Sequence, residues 1–260
     1  MNIRALGAAA AVAAFSTAAF ALAEPSRDID WNGEIPPGAT FEVKAVNGSI
    51  EASAASDGRA TVRLHATSAD GDLAGVRLVV KHLSDRVVVC AVTPDETVSD
   101  DCEIHSHSTN NDRSIRTDLR VMVPRSSPFR ARTVNGKVTI AGLATHVDAA
   151  TVNGAVSIAT SGSAHAATVN GSIAARLGEW RGALDLKTVN GSIAAYLPRR
   201  AGFSVHARTL TGRIDAGGFG LAANAHRFVG ASLDGTVGAN GDGRSLEAKT
   251  VNGSITIAPL

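Results

Sequence analysis

Apolar and polar residues alternate along most of this chain, and the alternation recurs around a short motif. Val-Asn-Gly occurs six times, at Val46, Val134, Val152, Val169, Val189 and Val251, and two looser copies are Leu210-Thr211-Gly212 and Leu233-Asp234-Gly235. From Thr133 onward, successive units begin 17 to 23 residues apart, at positions 133, 151, 168, 188, 209, 232 and 250. A short period of this kind predicts a repeat architecture in which each unit packs on its neighbours.

Aligning the units on the residue before Val, which is Thr in most copies, separates apolar columns from polar ones. The positions four and two before this residue, and five and seven after it, are apolar or small in every unit. The first of these columns contains Phe129, Val147, Ala164, Leu184, Val205, Phe228 and Leu246. The column three before it contains Arg130, Asp148, His165, Asp185, His206, Val229 and Glu247. A period of two on both sides of Asn-Gly predicts two strands per unit, each with one buried face.

The Asn-Gly pair of each unit is interpreted as the turn between the two strands, because both residue types tolerate positive φ. The predicted structural turn residues are Asn47, Gly48, Asn135, Gly136, Asn153, Gly154, Asn170, Gly171, Asn190, Gly191, Asn252 and Gly253. If the units stack, the Asn amides hydrogen-bond along the stack and are expected to be buried. Any recognition surface would then lie away from the motif, in the outward columns or in a loop.

Two all-β folds suit this pattern, a parallel β-solenoid with two short strands per coil and an antiparallel meander or sandwich. In a meander, equivalent residues of successive units lie two strands apart, so nothing physical favours their identity. In a solenoid they stack directly, about 4.8 Å apart, and identical side chains pack on one another. The near-identity of adjacent units therefore favours the solenoid.

The first half of the chain carries the unit once, in Phe41–Ala52, and then alternates without the motif. Strands are predicted over residues 60–66, 76–81, 86–92 and 114–123. We interpret residues 24–128 as a β-strand region continuous with the repeat of residues 129–260, in one domain. Residues 93–113 form a polar excursion, which a structural disulfide between Cys90 and Cys102 is predicted to hold.

Residues 1–23 carry one basic residue, Arg4, then an Ala-rich apolar stretch that ends Ala21-Leu22-Ala23. This is the pattern of a cleaved signal peptide, so the protein is predicted to be exported to the periplasm or cell surface. No later apolar run is long enough to cross a membrane. Without the leader, basic and acidic residues balance at 24 each, since Arg4 is one of 25 basic residues. That balance gives no electrostatic reason to expect nucleic acid as a partner.

The repeated Thr-Val-Asn-Gly-(Ser/Ala/Lys)-(Ile/Val) sequence, an exported leader, and Trp180-Arg181-Gly182 before one unit resemble the bacterial putative-adhesin family of β-strand-repeat domains. The resemblance covers Phe41 to Leu260. It implies an all-β repeat fold, a surface or periplasmic location, and an adhesin-like role. The family supplies no catalytic residues to carry over.

Candidate chemistry in the sequence is sparse. Asp101, His105 and His107 are the best metal ligands, but zinc sites need three or four well-placed ones, and a solvated loop is favoured. Sugar-cleaving β-helices need clustered acids in a groove, and the aromatics that would form sugar platforms are only 4% of residues. We therefore predict no enzyme activity, no metal and no cofactor, and an interaction module for a surface, a protein or a glycan. A carbohydrate-active enzyme and a purely structural envelope component are the alternatives.

Overall fold

The computed structural model of the protein describes residues 25–69, 73–106, 115–225, 230–238 and 243–260. The described residues form β-strands and a short 3₁₀ helix, Gly217–Phe219, so the predicted all-β class is confirmed. The predicted signal peptide lies outside the described residues. No helix among the described residues is long and apolar enough to span a bilayer.

Most described strands belong to two large sheets, whose apolar faces together form the main core. In spatial order, sheet 1 contains β1 (Ser26–Gly33), β4 (Ala60–Ser68), β9 (Ile115–Val123), β3 (Ile50–Ala54), β11 (Val138–Leu143), β13 (Val156–Thr160), β15 (Ile173–Arg176), β17 (Ile193–Leu197), β23 (Ile255–Pro259) and β19 (Ile214–Asp215). Sheet 2 contains β20 (Asn224–Ala225), β21 (Ala231–Val237), β18 (Phe203–Thr211), β22 (Ser245–Asn252), β16 (Ala183–Asn190), β14 (Ala164–Asn170), β12 (Val147–Ala150), β10 (Phe129–Arg132), β2 (Thr40–Lys44), β6 (Arg86–Val92) and β5 (Arg77–His82). A separate hairpin joins β7 (Glu96–Val98) to β8 (Ile104–Ser106).

Each repeat unit except the looser one at Ser232 contributes one strand to sheet 2 and the next strand to sheet 1. Neighbouring units pair in parallel and in register, so that Phe129 lies opposite Val147 in sheet 2 and Ile173 opposite Ile193 in sheet 1. An antiparallel meander would instead pair neighbouring units antiparallel. Identical columns therefore lie side by side, and the described members of the column four before Thr are all buried.

The order of the units in space differs from their order in the sequence. Strand β22, from the last unit, lies between β16 and β18, and β23 likewise lies between β17 and β19. The chain thus passes to the end of the stack and returns to insert its final unit one place earlier. The looser unit at Ser232 is not a turn at all, because Leu233-Asp234-Gly235 lies inside β21, which pairs antiparallel with β18.

At the other end of the stack, β6 and β9 form a unit without the motif. Strand β6 pairs in parallel with β2, and β9 pairs in parallel with β3. Where other units have Asn-Gly, this one has the long connection predicted as a polar excursion, and Cys90 of β6 is disulfide-bonded to Cys102 within it. Antiparallel strands β5, β4 and β1 complete this end.

Candidate functional site

The corner between the two sheets gives each residue of the Thr-Val-Asn-Gly motif a separate role. The Thr side chains are buried, and each hydroxyl donates to the Gly carbonyl of the neighbouring unit. The bonds run from Thr133 to Gly48, Thr151 to Gly136, Thr168 to Gly154, Thr188 to Gly171, Thr250 to Gly191 and Thr209 to Gly253, at 2.8 to 3.0 Å. Because a buried hydroxyl without a partner is costly, this bond explains why the column is Thr rather than Val.

The motif glycines are required by close approach of neighbouring backbones. A Cβ built on Gly171 would lie 1.9 Å from the carbonyl oxygen of Gly154, and one on Gly191 would lie 1.9 Å from that of Gly171. Among the described residues, Cys102 is the non-glycine residue with positive φ, so the motif asparagines do not use the left-handed conformation that Asn tolerates.

The motif asparagines form a hydrogen-bonded ladder, the Asn ladder, along the corner. Each amide nitrogen donates to the side-chain oxygen of the neighbouring Asn, from Asn252 through Asn190, Asn170, Asn153 and Asn135 to Asn47, at 2.7 to 2.9 Å. From Asn135 to Asn252 these side chains are solvent-exposed, so the expectation that the stacked amides are buried is wrong. The ladder is a surface feature.

Beside the Asn ladder, the Val residues of the motif form a line of exposed apolar side chains, here called the corner ridge. In spatial order it begins at the half-buried Val46 and continues with the exposed Val134, Val152, Val169, Val189, Val251 and Leu210. The five Val residues from Val134 to Val251 are each 38 to 40% exposed, and Leu210 is 53% exposed. The Val column of the motif is therefore part of the surface, together with the outward columns and the disulfide-held loop.

A cleft of about 440 Å³, here called the basic cleft, opens at the end of the corner ridge formed by Val46 and Val134. Its floor is the outer face of β2 and β10, and one wall is the β7–β8 hairpin region, which contributes Glu103 and Ile104. The disulfide holds this wall in place, since Cys90 and Cys102 share a small apolar cluster with Val88 and Val92 of β6.

Four cations meet one buried carboxylate in the basic cleft. The Glu42 carboxylate lies 3.3 Å from Arg86 Nε, 3.7 Å from Arg132 Nε, 3.8 Å from Arg130 Nη1 and 3.9 Å from Lys44 Nζ. The Glu42 side chain is 3% exposed. Burial of a carboxylate is tolerated only with such compensation.

Asp148 provides a second carboxylate beside the basic cleft. Its Oδ2 accepts hydrogen bonds from Arg130 Nε and Arg132 Nη2, both at 3.0 Å, while its buried Oδ1 has no hydrogen-bond partner among the described residues. Asp148, expected in the outward column, does point outward but is buried beneath these two arginines.

The other described residues of the outward column pair locally. His165 contacts Asp185 Oδ2 at 3.1 Å, and Lys187 donates to the same oxygen at 2.7 Å. Glu247 pairs with Lys249, and His206 with Asp234. The bond from Lys249 lowers the pKa of Glu247, and the bond to Asp185 raises the pKa of Lys187. These pairs place alternating charge on the outer face of sheet 2 along β14, β16, β22 and β18.

The metal candidates are not brought together in the described structure. No group of three His, Cys, Asp or Glu residues suited to a metal occurs within the described ranges, and His107 lies outside them. His105 and Asp101 are exposed, and Asp101 accepts a hydrogen bond from Ser99 Oγ, which lowers its pKa.

A second cleft, of about 450 Å³, lies on the outer face of sheet 1 and contains the acids Asp28, Glu51 and Asp118. Asp28 pairs with His65 at 2.7 Å, and Asp118 pairs with Arg116 at 2.7 Å and accepts bonds from the Ser49 backbone and hydroxyl. Burial raises the pKa of Asp118, but the hydrogen bonds from Arg116 and Ser49 outweigh it, and the pKa lies below its ordinary value. Asp118 therefore stays ionised at neutral pH.

Sequence reasoning missed the basic cleft as a unit. The outward column contains Arg130, but no column of the repeat brings it together with Glu42, Lys44, Arg86 and Arg132. Aligning β6 with β2 would have revealed part of the basic cleft. In that alignment Arg86 lies opposite Thr40 and Cys90 lies opposite Lys44, so Arg86 falls on the strand next to Glu42.

No protein-family model matches the chain, and no curated protein matches its sequence. Two solved structures are similar. A "putative cell adhesion protein" of Clostridium sporogenes is 10% identical, with a TM-score of 0.50 over 91% of this chain and 100% of that chain. A "putative adhesin" of Bacteroides fragilis is 12% identical, with a TM-score of 0.41 over 89% of this chain and 97% of that chain. The first likeness shows a shared fold.

Proposed function

We propose that the protein is an exported, non-catalytic, adhesin-like or envelope interaction module that binds its partner through the corner of its repeat. The corner ridge carries the proposal. It is a continuous line of exposed apolar side chains, and contiguous exposed apolar surface marks sites of interaction with other molecules. The Thr, Asn and Gly columns of the motif are explained by internal bonds and close approach, whereas the Val column faces solvent.

Export is supported by the leader pattern of residues 1–23 and by the disulfide, because disulfides persist in oxidising compartments. The adhesin-like role draws support from the repeat motif and from the similar fold of the Clostridium sporogenes protein. Mass spectrometry of the protein recovered from periplasm or medium tests export, with Glu24 expected as the first residue.

The non-catalytic assignment is supported by the acids of the cleft on sheet 1. Glycoside hydrolysis requires one carboxyl group that is held protonated at working pH. Despite burial, the hydrogen bonds from Arg116 and Ser49 lower the pKa of Asp118, so Asp118 is unsuited to hold that proton. This supports the non-catalytic assignment as far as a general-acid role for Asp118 is concerned.

The role of the corner ridge is tested by replacing some of its valines with threonine, which changes the polarity of the side chains and keeps their shape. The variant Val152→Thr/Val169→Thr/Val189→Thr keeps β-branched side chains and removes apolar surface. We expect the labelled, leader-free variant to be retained about tenfold less than wild type on intact cells and isolated envelopes of the producing bacterium. Met122→Thr is the matched control, since Met122 is equally exposed, at 38%, but lies outside the corner ridge.

The melting temperature of both variants verifies that the fold is retained. Equal retention of wild type and the triple variant would contradict the role of the corner ridge. Turnover of a polysaccharide by the wild-type protein would contradict the non-catalytic assignment.

A further inference from the structure

We infer that the basic cleft binds the carboxylate groups of an acidic sugar, which makes a uronate-bearing polysaccharide the partner of the module. The inference rests on the proposed function and names the ligand class of a site that adjoins the corner ridge. Three observations carry it: the charge of the cleft floor, the hydrogen-bond donors that face solvent, and an apolar wall next to them.

The floor of the basic cleft holds more positive than negative charge. Its four cations are Lys44, Arg86, Arg130 and Arg132, and the buried carboxylates beside them are Glu42 and Asp148. Inside a partly desolvated cleft such an excess attracts anions more strongly than it would on an open surface. A carboxylate from a ligand would balance this excess where it takes the place of the exposed acids at the rim.

Two further acids, Glu103 and Asp85, lie at the rim of the basic cleft. Glu103 accepts a hydrogen bond from Lys44 at 2.6 Å and Asp85 lies 3.3 Å from Arg86, but their side chains are 60% and 69% exposed. The carboxylates of these pairs are open to water and salt, although Lys44 and Arg86 are only 10% and 26% exposed, so a carboxylate from a ligand can take their place. Glu103 then acts as a competitor for the position that a ligand carboxylate would take beside Lys44.

Arg130 and Arg132 have more N–H donors than their hydrogen bonds within the protein use. Each guanidinium carries five N–H groups in a planar fork that matches a carboxylate. Among the described residues, each donates one hydrogen bond, to Asp148, and their side chains are 35% and 45% exposed. Arg130 Nη1 and Arg132 Nε also face Glu42, but at 3.8 and 3.7 Å they lie beyond hydrogen-bond distance. The two guanidinium groups therefore have capacity for an acceptor from a ligand.

The apolar wall distinguishes an acidic sugar from a small inorganic anion. Ile104, Val46 and Val134 line the basic cleft beside the cations. A sugar acid presents a carboxylate together with C–H faces, so it would contact the cations and the apolar wall at once, whereas phosphate would contact the cations alone. The volume of about 440 Å³ lies in the ordinary range for organic ligands.

Calorimetric titration of the leader-free protein with oligogalacturonate, against malto-oligosaccharide of equal length and inorganic phosphate, tests the inference. We expect oligogalacturonate to bind with an affinity that falls as salt rises, and the neutral oligosaccharide not to bind. Arg132→Gln should weaken binding about tenfold or more, because charge-assisted hydrogen bonds are lost. Glu103→Gln should strengthen binding, since it removes the competing carboxylate.

Lys137→Gln is the matched control, because it removes one positive charge from an exposed position on the motif turn outside the basic cleft. Equal binding by Arg132→Gln and Lys137→Gln would overturn the inference, as would phosphate binding as tightly as oligogalacturonate. A third outcome is that envelopes retain the protein through the corner ridge, but that Arg132→Gln changes neither this retention nor uronate binding. The ligand assignment then fails, and the proposed function stands. If neither envelopes nor uronates are bound, both fail.

Discussion

Thr211 donates its hydroxyl to the side-chain oxygen of Asn252 at a distance of 2.7 Å. Thr211 takes the place of Asn in its unit, and its bond ends the Asn ladder that begins at Asn47. A further Asn there would offer an unpaired amide oxygen to the end of the stack, whereas the Thr hydroxyl satisfies the last oxygen of the ladder. The looser copy of the motif is thus a cap for the ladder.

Replacement of Thr211 tests this role. Thr211→Val keeps the side-chain shape and removes the donor, so we expect the free energy of unfolding to fall by about 0.5–1 kcal/mol, the contribution of one exposed hydrogen bond. Thr211→Ser retains the hydroxyl, so its free energy of unfolding should fall less. Urea denaturation measures both variants, and a Val variant as stable as wild type would refute the capping role.

The position of the Asn ladder on the surface sets the expected effect of breaking it. Asn170→Ala/Asn190→Ala removes the ladder bonds among Asn153, Asn170, Asn190 and Asn252. Buried amides would make this loss several kcal/mol, but water can replace part of these exposed bonds. We expect a loss of about 1–3 kcal/mol by urea denaturation. Asn32→Ala, an exposed Asn of β1 outside the ladder, is the control, and a double variant no less stable than this control would show that the ladder contributes nothing.

The close approach at the motif glycines predicts a much larger effect of a single methyl group. A Cβ at position 171 would overlap the backbone carbonyl of Gly154, which cannot move without displacing the neighbouring unit. We expect Gly171→Ala to lower stability by about 3 kcal/mol or more, at the upper end of overpacking effects. Gly178→Ala is the control, because nothing lies within 4 Å of a Cβ there. Similar thermal denaturation curves for the two variants would contradict the steric argument.

Alternation in the sequence predicts the two-strand unit because a period of two fixes which side chains face the core, as Phe129 and Val147 show. The same parity places Val next to the buried Thr on the outward side, so exposure of the corner ridge could also have been predicted. The order of the units in space could not have been predicted. Leu246 packs as well beside Leu184 as a residue of the next unit along the chain would, and near-identical units carry no information about which neighbours they choose.

The basic cleft depends on long-range register and was beyond prediction from the repeat. Arg86 reaches Glu42 only because β6 pairs with β2, although 44 residues separate them in sequence. The wall of the cleft requires the β7–β8 hairpin to fold over the outer face of sheet 2, and no repeat column specifies that contact. The disulfide, by contrast, is predicted by two cysteines in a chain whose first residues have the pattern of a signal peptide.

Asp118 predicts a specific dependence of stability on pH. Its pKa is lower in the folded protein than its ordinary value, despite burial, because Arg116 and Ser49 bond to its carboxylate. A depressed folded pKa contributes stability that is fully present above the unfolded pKa, about 3.9, and is lost as pH falls through the folded pKa. We expect Asp118→Asn to be less stable than wild type at pH 7 and the difference to shrink below about pH 4. Urea denaturation from pH 2.5 to 7 measures it, with the exposed Asp95→Asn as control, and a difference that stays constant across this range would show that ionisation of Asp118 does not stabilise the fold.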